Sequence, residues 1–286
     1  MKRFLTALLL GSLLACPSRG QEVLPLGGVV NARDLGGIRM KDGRKIKPGL
    51  LIRSAELSDA TEEDIAFLQA VPVKKVIDFR VEVEKRGRAD KTIPAADYVN
   101  IPVNTIDPKD APPEFFKLKS FNVSRLIVIT AFNRKAKTLT RELYISMLTR
   151  EDSRRQYAAF MKELVRSADV AVLYHCTRGK DRSGLATAFV LGALGADKET
   201  IVKDFDLTNK TYAKDVEKYT KKVKSMGGKE DELEAVKAMA GANTERFAEA
   251  LDYIDEAYGS MKAYLTGPLG LSEKDIQTLQ ERYLEK

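Results

Sequence analysis

The chain has 286 residues, 44% hydrophobic and 31% charged, which is the composition of a soluble globular protein and not of a disordered or fibrous one. One histidine and two cysteines exclude HExxH zinc sites, Cys2His2 fingers, catalytic histidine pairs and any disulfide scaffold. The formal charge is +7, but Lys2, Arg3 and Arg19 fall within the first 20 residues; the remaining about +4 is too little to argue for nucleic acid and suits an anionic substrate.

Lys2 and Arg3 precede an apolar run from Phe4 to Cys16, followed by Pro17, Ser18, Arg19 and Gly20. A basic start, a short apolar run and small residues at its end read as an export signal, with a buried N-terminal helix as the other reading. The run is too short to cross a membrane: at ~1.5 Å per residue it spans about 20 Å of a ~30 Å hydrocarbon core. Leu13-Leu14-Ala15-Cys16 also resembles a lipobox, so Cys16 is a candidate lipid anchor, the alternative being a free secreted protein. The expected organisation is a signal at residues 1–20 and one domain at 21–286, exported to the periplasm, the exterior or the cell envelope. Cys176 would then be the single cysteine of the mature chain, in a compartment where disulfides persist.

Strands are expected at Leu50–Arg53, Lys75–Phe79, Tyr98–Val103 and Val170–Tyr174, the last apolar throughout, as suits a central parallel strand covered on both faces. Helices are expected at Thr61–Ala70, where Thr61 and Asp64 hold capping-box positions, at Ser153–Ser167, and at Ser183–Leu194 with Gly195 as its stop. Helical spacing runs from Asp197 to Met239, broken at Gly227-Gly228, and from Thr244 to Lys286, broken at Gly267-Pro268. Residues 105–140, with Pro108, Pro112 and Pro113, show no clear period and read as a lid or a loop-rich insertion. Strand and helix patterns that alternate in this way predict an α/β fold.

The chemistry concentrates in His175-Cys176-Thr177-Arg178-Gly179-Lys180-Asp181-Arg182-Ser183-Gly184, between the strongest strand and a credible helix. A loop at the carboxyl end of a strand that opens a helix aims backbone N–H groups at one point, a nest for a phosphate-sized dianion. Beside those amides and Arg182, Cys176 would be a thiolate able to attack phosphorus. Arg182 can grip two phosphate oxygens at once, Gly179 permits the turn, and Ser183 can hydrogen-bond the sulfur and help it leave. His175 is expected to order the loop.

This segment resembles the HCxxGxxR[ST]G loop of the cysteine-dependent tyrosine phosphatases. Its Gly-Lys-Asp-Arg form resembles a bacterial branch active on phosphotyrosine and phosphoinositides. Asn31-Ala32-Arg33-Asp34-Leu35-Gly36-Gly37, then Pro48-Gly49-Leu50 and Arg53-Ser54, is similar to that branch's N-terminal NxRDLGG…PG…RS signature. Tyr258-Gly259-Ser260 through Leu269-Gly270-Leu271 resembles its C-terminal end, and residues 105–150 are the least familiar. The resemblance implies a tyrosine-phosphatase-like fold with a mainly parallel sheet, a helical lid and a helical C-terminus. It also implies phosphomonoester hydrolysis without metal or cofactor, with Cys176 as nucleophile and Arg182 as phosphate clamp. Thr177, Arg178, Gly179, Lys180, Arg33 and Asp34 are expected at the substrate, Lys180 and Arg178 adding charge at the rim as in lipid phosphatases. The expected partners are a phosphorylated protein, a phosphoinositide or an inositol phosphate.

A general acid is needed to protonate the leaving oxygen. The chain lacks tryptophan, so the usual Trp-Pro-Asp loop is absent. Asp181 is the first candidate and Asp107, ahead of Pro108, the second, while Asp34 is placed to pair with Arg182 or Arg33 and orient the site. Competing functions are a phytase-like inositol-polyphosphate phosphatase, a silent phosphate- or phospholipid-binding module, and a sulfurtransferase, which the flanking His175 and Ser183-Gly184 fit poorly.

Overall fold

The computed structural model describes residues 22–105, 123–167 and 170–286. The expected signal, Cys16 and Asp107 lie outside the described residues. Six strands, β1 (Glu22–Val23), β2 (Arg33–Asp34), β3 (Leu51–Ser54), β4 (Val73–Asp78), β5 (Asp97–Asn100) and β6 (Ala171–His175), form one sheet in the order β1-β2-β3-β6-β4-β5. The pairs β3–β6, β6–β4 and β4–β5 are parallel, and β1 and β2 add an antiparallel edge.

Side chains of β6 alternate between two cores, which explains its unbroken apolar run. Val172 and Tyr174 join Ile77, Phe79, Leu185 and Phe189 on one face, whereas Ala171 and Leu173 join Ile52, Leu68 and Val76 on the other. The second face is closed by α1 (Glu62–Ala70), whose Thr61 hydroxyl accepts from the Asp64 N–H while Asp64 accepts from the Thr61 N–H, the capping box expected from their spacing.

After β4 comes the short α2 (Glu82–Lys85) and, ahead of β6, α3 (Val123–Phe132), α4 (Arg134–Thr149) and α5 (Glu151–Arg166); α4, α5 and the central α6 (Asp181–Leu194) pack on the first face. The rest of the chain forms α7 (Lys198–Ser225), α8 (Glu230–Ala240), α9 (Thr244–Tyr258), α10 (Met261–Thr266) and α11 (Glu273–Tyr283). Gly195 ends α6 at φ +97°, a left-handed C-cap that glycine adopts without strain. Of residues 105–140, read from the sequence as a lid or a loop-rich insertion, the described part from Val123 onward is helical, in α3 and the start of α4. Ile127 and Ala131 of α3 pack on Tyr219 and Val223 of α7 and on Val236 and Ala240 of α8, building a helical layer with its own small core.

Candidate active site

The carboxyl ends of three strands meet at one point, because Ser54 of β3 and Asp78 of β4 both lie opposite His175 of β6. Cys176 follows immediately, the chain turns through Gly179, and α6 starts at Asp181. Gly179 has φ +61°, and a Cβ there would sit 2.3 Å from the Ser54 carbonyl oxygen, so the close approach of loop to β3 admits glycine alone. No side chain caps α6, and the positive end of the helix faces the loop, where an anion is favoured. Cys176 is buried at this helix start. Burial pushes the thiol pKa up, but the Arg182 charge and the Ser183 hydroxyl and N–H outweigh it, and the net shift is below the ordinary value.

Arg182 is held by Glu84. Its Nη1 and Nη2 donate to the two Glu84 oxygens at 2.6 Å each, a fork matched to a carboxylate, and Nη1 also reaches the Phe79 carbonyl at 3.1 Å. Glu84 accepts further from the Thr177 hydroxyl at 2.7 Å and the Val81 N–H at 3.0 Å. Burial raises the Glu84 pKa, yet Arg182 and these donors bring it below the carboxylate's ordinary value. Sequence reasoning did not single out Glu84; its one local signal is its position three residues into α2, where it reaches back to the Val81 N–H.

The N-terminal signature stands behind the loop. The Asn31 side-chain amide donates to the carbonyls of Gly179 at 2.9 Å and Arg178 at 3.2 Å, and Arg53 Nη2 donates to Gly179 at 2.8 Å. Arg33 orients Asn31 through its Oδ1 at 2.7 Å and pairs with Asp204 at 3.0 Å, while Arg53 also pairs with Asp204. Arg33 and Arg53 are buried at 2% and 0% exposure, so Arg33, expected at the substrate, serves as a brace. Asp34, expected at the substrate and as partner to Arg182 or Arg33, accepts the N–H groups of Gly36 at 2.9 Å and Gly49 at 2.5 Å and closes the turn before β3. The carboxylates on those two arginines are Glu84 and Asp204.

Arg178 and Lys180 also differ from expectation. Arg178 lies on the Tyr212 ring at 3.8 Å and donates to Asp215 at 3.0 Å and the Ala240 carbonyl at 2.7 Å. Lys180 is buried, with its ammonium on Asp181 at 2.8 Å and the Ala238 carbonyl at 3.2 Å. The charge of Arg178 is committed to α7 and α8 and that of Lys180 to Asp181 and α8, because the C-terminal carbonyls of α8 lie over the loop and demand donors. Asp181, at the first position of α6, accepts from Lys180 and from the Tyr144 hydroxyl at 2.8 Å.

His175 is fully buried, its Nε2 3.2 Å from Asp90 and its Nδ1 3.7 Å from Asp78. Burial disfavours the imidazolium, but the charges of Asp78 and Asp90 lift its pKa above the ordinary value. This triad is the one His/Cys/Asp/Glu group among the described residues whose spacing suits a metal ion. Arg80 already supplies the positive charge, bonding Asp78 at 2.9 Å and Asp90 at 2.6 Å, and so the donors do not fit a cation as well.

A thiol of lowered pKa on a helix N-terminus, with an arginine fork beside it at the end of a parallel sheet, defines the class: a cysteine-dependent phosphatase. The family described as the tyrosine phosphatase family matches residues 24–285, and the chain belongs to it. A Cupriavidus necator protein that bears the tyrosine-protein phosphatase name is 27% identical over 270 residues, covering 94% of this chain and 91% of its own. The triple specificity protein phosphatase PtpB of Mycobacterium tuberculosis is 26% identical over 276 residues, covering 90% of this chain and 98% of its own. A tyrosine-protein phosphatase of Nostoc commune is 24% identical over 234 residues, 81% of this chain and 73% of its own. The chain is therefore a hydrolase acting on phosphorylated substrates. No helix among the described residues is long and apolar enough to cross a membrane.

Proposed function

We propose that the chain hydrolyses phosphotyrosine, and with it phosphoserine/threonine and phosphoinositides, through a phosphocysteine intermediate. Cys176 Sγ attacks phosphorus in line while Arg182 and the loop N–H groups hold the phosphoryl oxygens. Asp181 gives its proton to the ester oxygen, which leaves as the alcohol. Water then attacks the phosphocysteine, its proton passes to Asp181, and phosphate leaves as the sulfur electrons return to Cys176. Ser183 stabilises the departing thiolate. The observation that carries this reading is the thiol of lowered pKa beside a Glu84-locked Arg182 on the N-terminus of α6.

The printed name of the Mycobacterium tuberculosis relative, a triple specificity phosphatase, supports the wider substrate range. The commitment of Arg178 to Asp215 and α8, and of Lys180 to Asp181 and α8, argues against a phytase-like pocket, which needs free cations for several phosphates at once. Residues 1–20 are read as an export signal, with Cys16 as the anchor if the protein is lipidated. The test pairs a panel of phosphopeptides, phosphoinositides and phytate with Cys176→Ser. The variant should lose turnover of every substrate and keep phosphate binding; retained turnover overturns the mechanism, and a preference for phytate overturns the substrate assignment.

A further inference from the structure

We infer that Tyr144 is a positioning residue for Asp181, its hydroxyl occupying Oδ1 so that Oδ2 carries the proton passed to the leaving group. The inference rests on the reading of Asp181 as general acid.

Tyr144 comes from α4, in the segment that carries none of the recognisable motifs. Its ring is packed edge-on against Phe205 of α7 and Phe247 of α9, at 5.8 Å and 88° and at 5.5 Å and 85°. Those two rings stack on each other at 3.8 Å and 3°, forming a wall that fixes where the phenol points. Phe205 reaches this place because residue 184 is glycine: a Cβ there would lie 2.8 Å from the Phe205 ring. The glycine that closes the phosphate-loop motif thus sets the tyrosine that meets the loop's carboxylate.

The Tyr144 oxygen is 2.8 Å from Asp181 Oδ1. Burial holds the phenol pKa well above its ordinary value, so the group is a neutral donor across the working pH range. The Lys180 ammonium spans both carboxyl oxygens, at 2.9 Å from Oδ1 and 2.8 Å from Oδ2. Oδ1 therefore serves two donors and Oδ2 one. A proton placed on the carboxyl goes to the less committed oxygen, Oδ2, with Lys180 keeping Oδ1 and the Ala238 carbonyl. As Sγ–P forms and P–O breaks, that proton moves to the ester oxygen, and the carboxylate left behind is stabilised by Tyr144 and Lys180. Without the phenol, Lys180 alone holds the carboxyl group across both oxygens, and nothing distinguishes Oδ1 from Oδ2.

The test compares wild type, Tyr144→Phe and Asp181→Asn on p-nitrophenyl phosphate, a good leaving group, and phenyl phosphate, a poor one. Tyr144→Phe should lower kcat on phenyl phosphate by about ten-fold, the factor one hydrogen bond controls, and leave KM and inhibition by inorganic phosphate unchanged. On p-nitrophenyl phosphate it should change little. If Asp181→Asn is steeply leaving-group dependent and Tyr144→Phe matches wild type, the positioning role is wrong and the acid stands. Equal losses on both substrates, or weakened phosphate inhibition, mean that Tyr144 merely supports the loop and also overturn the inference. If Asp181→Asn shows no leaving-group dependence, the assignment of the acid fails and the role of Tyr144 falls with it.

Discussion

Replacing Glu84 by glutamine tests whether Arg182 is held by charge or only by shape. Glutamine keeps the volume but offers one acceptor oxygen where the carboxylate serves Nη1, Nη2, the Thr177 hydroxyl and the Val81 N–H. Its amide N–H groups would face donors, and the buried guanidinium would lose its counter-charge. Breaking a buried pair in this way costs ~3–5 kcal/mol, so Tm should fall by roughly 6–20 °C at ~2–4 °C per kcal/mol. Arg182 is no longer locked, and a clamp misplaced by about 1 Å costs ~100-fold in kcat/KM. Differential scanning fluorimetry across pH adds a sign. The folded Glu84 pKa lies below its ordinary 4.5, so its stabilisation is present above that value and is lost as pH falls through the folded one. The Tm gap between wild type and Glu84→Gln should therefore be full at pH 7 and close in acid. A variant with wild-type Tm and kcat/KM, or a gap that widens in acid, refutes the ion-pair account.

Two further outcomes follow from the same geometry. Ser183→Ala removes a donor that lowers the Cys176 pKa, so iodoacetate inactivation, which follows the thiolate, should shift to higher pH by up to ~1 unit; an unmoved profile would remove Ser183 from the thiolate's support. Asp204→Asn leaves the buried Arg33 and Arg53 facing each other with no carboxylate, which should destabilise the fold by about 3–5 kcal/mol in urea unfolding, and a loss below about 1 kcal/mol contradicts their assignment as braces.

The loop was readable because its chemistry is local. Nucleophile, turn glycine, arginine and serine lie within ten residues, between a strand whose apolar run marks it as central and a helix with a glycine stop. Glu84 was not readable, since it stands 98 residues from Arg182 and contact over that distance leaves no spacing to detect. The same holds for Asp204, 171 residues from Arg33. The N-terminal signature located important residues without revealing which side of the loop they occupy: Arg33 faces Asp204 and Asp34 a turn. Helix α3 escaped because apolar residues lie all round it, Ile127 buried and Ile129 and Phe132 exposed, so no stripe stands out.

The ties on the outer side of the phosphate loop have an electrical consequence inside it. The carbonyl of Arg178 is taken by Asn31 and by the Tyr212 hydroxyl at 2.7 Å, that of Gly179 by Asn31 and Arg53, and that of Lys180 by the Gly184 N–H at 2.7 Å. A planar trans peptide points its N–H opposite its C=O, so each captured oxygen turns the following N–H, those of Gly179, Lys180 and Asp181, toward the anion. The braces therefore polarise the cavity from behind: three peptide dipoles are locked before any phosphate arrives and need no reorientation when charge develops on it. A substitution at Asn31 or Arg53, neither placed to touch substrate, would release peptide units to flip and so weaken the field at Cys176.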